Sequence, residues 1–137
     1  MSFKATEKTI DKLFSDNIFQ IPRNQRKYVW NKNNWNELLG DLEFSAKDSS
    51  FHFIGSIVLK EEQSINNINR YSIIDGQQRI ITLSSIIISI MLIYAEKHLE
   101  NEFNGIKKYM QTIDSKGLLR NTISEDCNSL VSKIISD

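Results

Sequence analysis

The feature that most constrains this sequence is a change of secondary structure made without a loop. Tyr71-Ser72-Ile73-Ile74 is apolar and β-branched, and reads as a strand. Asp75-Gly76 and Gln77-Gln78-Arg79 follow, and from Ile80 to Ala95 the chain is almost continuously apolar. A buried strand joined to a buried helix across a single glycine must pack against it, so a sheet layered with helix is required. The apolar run is shorter than the ~20 residues of a usual membrane span. It also carries Thr82, Ser85 and Ser89 on one face, so a core helix from about Gly76 to about Leu99 is the reading, with no membrane association.

Other segments give shorter signals. Ile10, Leu13 and Phe14 predict a first helix capped by Thr9, and Ile18 to Ile21 a strand stopped by Pro22. Asn31 is placed to cap a helix that carries Trp35, Leu38, Leu39, Leu42 and Ala46 at helical spacing. Phe51 to Leu59 reads as a central strand, interrupted by Gly55, which marks a bulge or a close approach. Polar, Asn-rich Glu61 to Asn69 is expected as a hairpin loop. Phe103, Ile106, Lys107 and Met110 allow a further helix, and Leu130, Val131, Ile134 and Ile135 a last one. The expectation is one domain over residues 1–100, then residues 101–137 as the start of a helical region of a longer protein.

Composition removes several classes of function. Lys plus Arg equals Asp plus Glu at 17 each, so the whole chain carries no nucleic-acid signature. The single cysteine, Cys127, forms no internal disulfide, and the N-terminus lacks a signal-peptide core; both fit a cytoplasmic protein. Two histidines, His52 and His98, and one cysteine offer no zinc spacing. Neither a Walker A pattern nor a Gly-rich dinucleotide fingerprint is present.

Three segments carry chemistry. At Asp75-Gly76-Gln77-Gln78-Arg79, free amides and the dipole of a helix start favour an anion. Gly76 allows a sharp turn and a near ligand; Asp75 can cap the helix or ligate Mg²⁺. Gln77 and Gln78 offer donors and acceptors, and Arg79 a fork for phosphate. The plain alternative is helix capping with solvated side chains, and on these residues alone the two stand level. The second segment, Ile21 to Trp30, holds Arg23, Arg26 and Lys27, with Lys32 just beyond, interleaved with Tyr28 and Trp30. Charge plus aromatic faces suits a nucleotide or nucleic acid; a charged loop anchored by its aromatics has the same composition, and Trp30 and Trp35 read as core. In the third, Gly55-Ser56 could set an amide and a hydroxyl near phosphate, although on these residues alone a strand with a tolerated bulge is the better reading.

Taken together, Ile21-Pro22-Arg23-Asn24-Gln25-Arg26-Lys27-Tyr28-Val29-Trp30, Phe53-Ile54-Gly55-Ser56-Ile57 and Ile74-Asp75-Gly76-Gln77-Gln78-Arg79-Ile80-Ile81-Thr82-Leu83 resemble the motifs of GmrSD-type (type IV) restriction endonuclease N-terminal domains. Asn24 replaces a usual aromatic, and Ile81 a usual threonine. The resemblance implies an α+β, ParB/sulfiredoxin-like domain, a small mixed sheet packed against helices, followed by a helical C-terminal segment. It implies that the domain binds and hydrolyses nucleoside triphosphate with Mg²⁺, and that a separate C-terminal HNH-type nuclease domain cuts DNA in phage defence. The implied catalytic residues are Asp75, Gln77, Gln78 and Arg79, with Asp75 on the metal. The implied nucleotide-binding residues are Gln25, Arg26, Tyr28, Gly55, Ser56, Gly76 and Thr82, and Arg23, Lys27 and Lys32 are DNA-contact candidates. The alternative is a non-catalytic ParB-like DNA-binding or modification-sensing module.

Overall fold

A computed structural model describes residues 5–21, 29–48 and 55–123. The helix expected around Leu130 to Ile135 lies outside these residues. The order is α1 (Ile10–Phe14), β1 (Asn17–Gln20), α2 (Lys32–Asp48), β2 (Val58–Ile65), β3 (Ile68–Asp75), α3 (Gln77–Glu96), α4 (Glu100–Lys107), β4 (Gln111–Ile113) and β5 (Leu119–Asn121). The fold is α+β, built on a small mixed sheet ordered β1-β3-β2. β1 runs parallel to β3, with Gln20 opposite Ser72, while β2 is antiparallel to β3.

The central strand of the sheet is β3; of the segment expected as a central strand, residues 51–54 lie outside the described residues, residues 55–57 are not strand, and Val58-Leu59 begin the edge strand β2. Ile68, Ser72 and Ile73 of β3 are buried, whereas β2 alternates between exposed and half-buried positions along the sheet edge. The expected loop from Glu61 to Asn69 is mostly strand. Its turn is only Asn66-Asn67, with φ of 47° and 69°. Asparagine tolerates such left-handed conformations, and two successive positive φ values match the twist of a hairpin. The polar composition of Glu61–Ser64 thus reflects an edge strand facing solvent. Ser72 donates to Glu62 Oε1 at 2.9 Å, and Arg70 Nε to the Gln63 carbonyl at 3.0 Å, across the pair.

Phe14, Phe19, Ile73, Ile80 and Ile123 are fully buried and centre the core. Phe14 meets Phe19 edge-on at 6.1 Å, and Tyr71 extends the aromatic group at 6.2 Å from Phe19. α3 contributes Ile80, Ile81, Leu83, Ile87 and Ile88 to the same core. By length and composition this helix could cross a bilayer; here its first half covers the sheet. It ends in a Schellman arrangement: Leu99 N donates to the Tyr94 carbonyl at 2.9 Å and His98 N to the Ala95 carbonyl at 3.1 Å. His98 takes the left-handed conformation, φ 58°, more often filled by glycine. At the start of α2, Asn31 caps as expected, its Oδ1 accepting from the Asn33 and Asn34 amides at 3.0 and 3.2 Å.

Beyond α4 the chain forms a β-hairpin that the sequence reading did not foresee. Asp114 organises it: Oδ1 accepts from the Lys116 and Leu118 amides, and Oδ2 from Asn66 Nδ2 at 2.9 Å and Arg120 Nε at 3.0 Å. The Asn66 hydrogen bond, helped by the Leu118 amide and Arg120, holds its carboxyl well below the usual carboxylate range. One carboxylate therefore ties β4–β5 to the turn between β2 and β3. The following residues close the outer edge of β1, where Phe19 N donates to the Thr122 carbonyl at 2.7 Å. Met110 and Ile123 join the core shared by residues of the first hundred.

Candidate functional site

The site begins where β3 becomes α3. Gly76 is the N-cap of α3, left-handed at φ 96° and ψ 13°. A Cβ there would lie 3.1 Å from Ile57 Cγ1 and 3.3 Å from the Ser56 carbonyl, so both conformation and space call for glycine. The first helical bond is Ile80 N to the Gly76 carbonyl at 3.1 Å. Gln77, Gln78 and Arg79 form the first turn of α3, at the positive end of the helix dipole. Asp75 does not supply the anticipated cap. It ends β3 opposite Val58 with an exposed carboxylate, free of hydrogen bonds and ion pairs among the described residues.

Around this turn lies an open cleft of about 390 Å³, lined by Ile74 to Arg79 together with Ser56 and Trp30. Arg79 forms one wall. Its guanidinium passes over Gly55, so closely that a Cβ at Gly55 would sit 2.2 Å from Cζ. It also lies over the Trp30 ring, with Cζ 5.8 Å from the centroid. Nη1 donates to the Ser56 carbonyl at 3.3 Å. The guanidinium therefore sits in a slot that a bare backbone and an indole help to form. Nε is buried without a hydrogen-bond partner among the described residues, a costly arrangement for a charged donor.

Gln77 and Gln78 are both buried at the foot of the cleft. Gln78 Oε1 accepts from the Val29 amide at 2.7 Å and the Trp30 amide at 3.2 Å. Two N–H donors on one atom fix the carboxamide orientation, since only the oxygen accepts.

The remaining candidates fall in different places. Ser56 and Gly76 line the cleft, and Gly55 forms the Arg79 slot. Thr82 is fully buried deeper in α3, and Lys32 is exposed at the start of α2; neither lines the cleft. Arg23, Gln25, Arg26, Lys27 and Tyr28 lie outside the described residues. Asp75 is the one carboxylate among the described lining residues, and the described residues contain no group of three or more metal-ligating side chains. Sequence reasoning placed Trp30 in the core; it packs there and also lines the cleft. The backbone role of Gln78 leaves no signal in spacing, because its partners lie 48 and 49 positions away.

A family model described as GmrSD restriction endonuclease, N-terminal domain, matches residues 10–137. The chain belongs to this family. A comparison with curated proteins found no match. Membership makes this GmrSD N-terminal domain part of a restriction endonuclease, and all of the cleft falls inside the matched residues.

Proposed function

We propose that this GmrSD N-terminal domain binds a nucleoside triphosphate by its phosphates in the β3–α3 cleft and hydrolyses it, and that this controls DNA cleavage by an HNH-type nuclease domain of the full-length protein. The observation that carries the reading is that the N-terminus of α3 and the Arg79 guanidinium line one open cleft. Both are sources of positive potential for an anion.

In this reading the γ-phosphate lies over the Gln77–Arg79 amides. Arg79 pairs with the phosphoryl oxygens as soon as the nucleotide binds and keeps them neutralised through the reaction, and its slot prevents it from swinging away. A water attacks the γ-phosphorus while the bond to the β–γ bridging oxygen breaks. Gln77 at the cleft floor orients that water. Such catalysis is positioning plus electrostatics and needs no covalent nucleophile. Mg²⁺, when bound, would shield the phosphates. Asp75 fits it as a single protein oxygen, in keeping with an ion that usually takes one or two carboxylates and fills its shell with phosphate and water.

The test is a thermal-shift and phosphate-release panel with ATP, GTP, CTP and UTP, with and without Mg²⁺. At a hundredfold excess over Kd, one nucleotide should stabilise the protein by about 2.7 kcal/mol. Asp75→Asn should remove the Mg²⁺ dependence, and Arg79→Ala should abolish both stabilisation and turnover. A flat panel, with DNA binding that falls steeply with salt, would refute this reading in favour of a non-catalytic DNA module.

A further inference from the structure

We propose that Gln78 is a positioning residue for the cleft: its side-chain oxygen straps the Val29–Trp30 backbone to the start of α3, and so sets the indole that fixes Arg79. The proposal rests on the nucleotide reading of the cleft for its functional consequence, and on geometry alone for the strap.

Gln78 Oε1 accepts two consecutive backbone amides, from Val29 at 2.7 Å and from Trp30 at 3.2 Å. The side chain is buried, with Gln78 only 7% exposed, so these bonds form away from competing water. Neither amide belongs to a helix or strand, because residues 29 and 30 precede α2. The strap has a direct geometric consequence. Trp30 is the residue whose ring faces the Arg79 guanidinium at 5.8 Å, the same guanidinium that passes over Gly55. Gln78 and Arg79 are adjacent in α3, so one turn of backbone holds both the cation and the fastener of the ring beside it.

The glutamine oxygen is therefore occupied by two backbone amides, and a water-orienting role does not fall to it. The two assignments predict opposite kinetics. A residue that orients the attacking water acts on kcat. A residue that positions the binding wall acts mainly on KM.

The experiment uses the full chain. Of its two tryptophans, Trp35 is replaced by phenylalanine, so that Trp30 is the sole indole reporter. In this background Gln78→Met removes the acceptor at similar length, Gln78→Glu keeps an acceptor oxygen, and Trp30→Leu, made beside Trp35, removes the ring and keeps the strap. Acrylamide quenching of Trp30 is measured without nucleotide, and KM and kcat with each of the four Mg²⁺–nucleoside triphosphates. Gln78→Met should raise the quenching constant about twofold and KM roughly tenfold, the loss expected for about one net hydrogen bond to the strap plus part of the cation's placement. Its kcat should change less than threefold or so by the same split. Gln78→Glu should recover most of both effects, and Trp30→Leu should match Gln78→Met in KM.

Unchanged quenching in Gln78→Met overturns the strap, whatever the kinetics. Raised quenching with unaltered KM overturns the positioning role. A fall in kcat at constant KM overturns it in favour of direct catalysis. If no nucleotide binds the parent protein, the nucleotide reading fails and the quenching arm still decides the strap.

Discussion

Gly55→Ala is the most informative single substitution, because it acts on backbone and site through separable routes. The residue has φ of 134°, a conformation that L side chains rarely adopt, and a Cβ would fall 2.2 Å from Arg79 Cζ. The backbone term is of order 1–3 kcal/mol. For a chain of this length about 1 kcal/mol moves Tm by roughly 3–5 °C, so Tm should fall by about 3–15 °C. The second route is displacement. The atoms met by the new methyl are the far end of a flexible side chain, so the guanidinium will move out of its slot rather than break the fold. A charge-assisted hydrogen bond to phosphate is worth about 1.5–3 kcal/mol, so nucleotide affinity should fall by roughly 10- to 150-fold. Differential scanning fluorimetry gives the first quantity and nucleotide titration the second. A double-mutant cycle with Arg79→Ala separates them: the Tm loss should persist in the Arg79→Ala background, and the affinity loss should vanish there. Parent-like Tm and affinity in Gly55→Ala would refute the slot. An affinity loss undiminished in the absence of Arg79 would show that Gly55 acts on the ligand by some other contact.

The other predictions concern the scaffold. Asp114 has a folded carboxyl pKa lowered from 3.8, so its contribution is fully present above about that pH and is lost as pH falls further; urea titrations from pH 6 to pH 2 should show a steeper acid loss in the parent than in Asp114→Asn, and equal slopes would contradict the knot with Asn66. Phe19→Ala empties a fully buried aromatic site and should cost about 3–5 kcal/mol by chemical denaturation. Asn67→Gly, at φ 69° in the hairpin turn, should hold or raise stability by a few tenths of a kcal/mol, whereas a loss above about 1 kcal/mol would argue against a primed turn there.

The fold was legible wherever a local pattern coincided with burial. Ile73-Ile74 and the run after Ile80 announced β3 and α3 as apolar runs, although burial is limited to Ile73 and the first half of α3 while Ile74, Leu92 and Ile93 stay exposed. Asn31 announced α2 because capping is a short-range property. The misses were non-local. Whether Glu61–Ser64 is a loop or an edge strand depends on whether a partner strand lies beside it, and polar residues satisfy both. The β4–β5 hairpin rests on Asp114, whose Asn66 partner is distant in sequence. Within the site, Gly55, inside an apolar run, and Gly76, at a strand-to-helix turn, did signal close approach. Gly55 meets a side chain of the same domain, an alternative that no spacing rule distinguishes from a ligand. Gln78 was legible as polar and special, but not as a backbone acceptor.

The parallel pairing of β1 with β3 also bears on where a ligand can sit. Parallel strands bring their carboxyl ends to one edge of the sheet, and in open sheets of this type that edge is where ligands bind. Here it holds Gln20 and Asp75, and the start of α3 rises from it. The apolar residues that set this geometry, Phe19, Ile73 and Ile80, are all fully buried and contribute nothing to the cleft lining. Stability and site chemistry are thus assigned to different residues within the same stretch of chain. Core substitutions should lower the unfolding midpoint and leave the affinity of the remaining folded protein intact. Arg79→Ala should do the reverse, because it removes a buried, unpaired Nε along with the charge, offsetting part of the packing it loses. If core variants lost nucleotide affinity in proportion to stability, the cleft would have to be an opening of the fold itself rather than a surface built upon it.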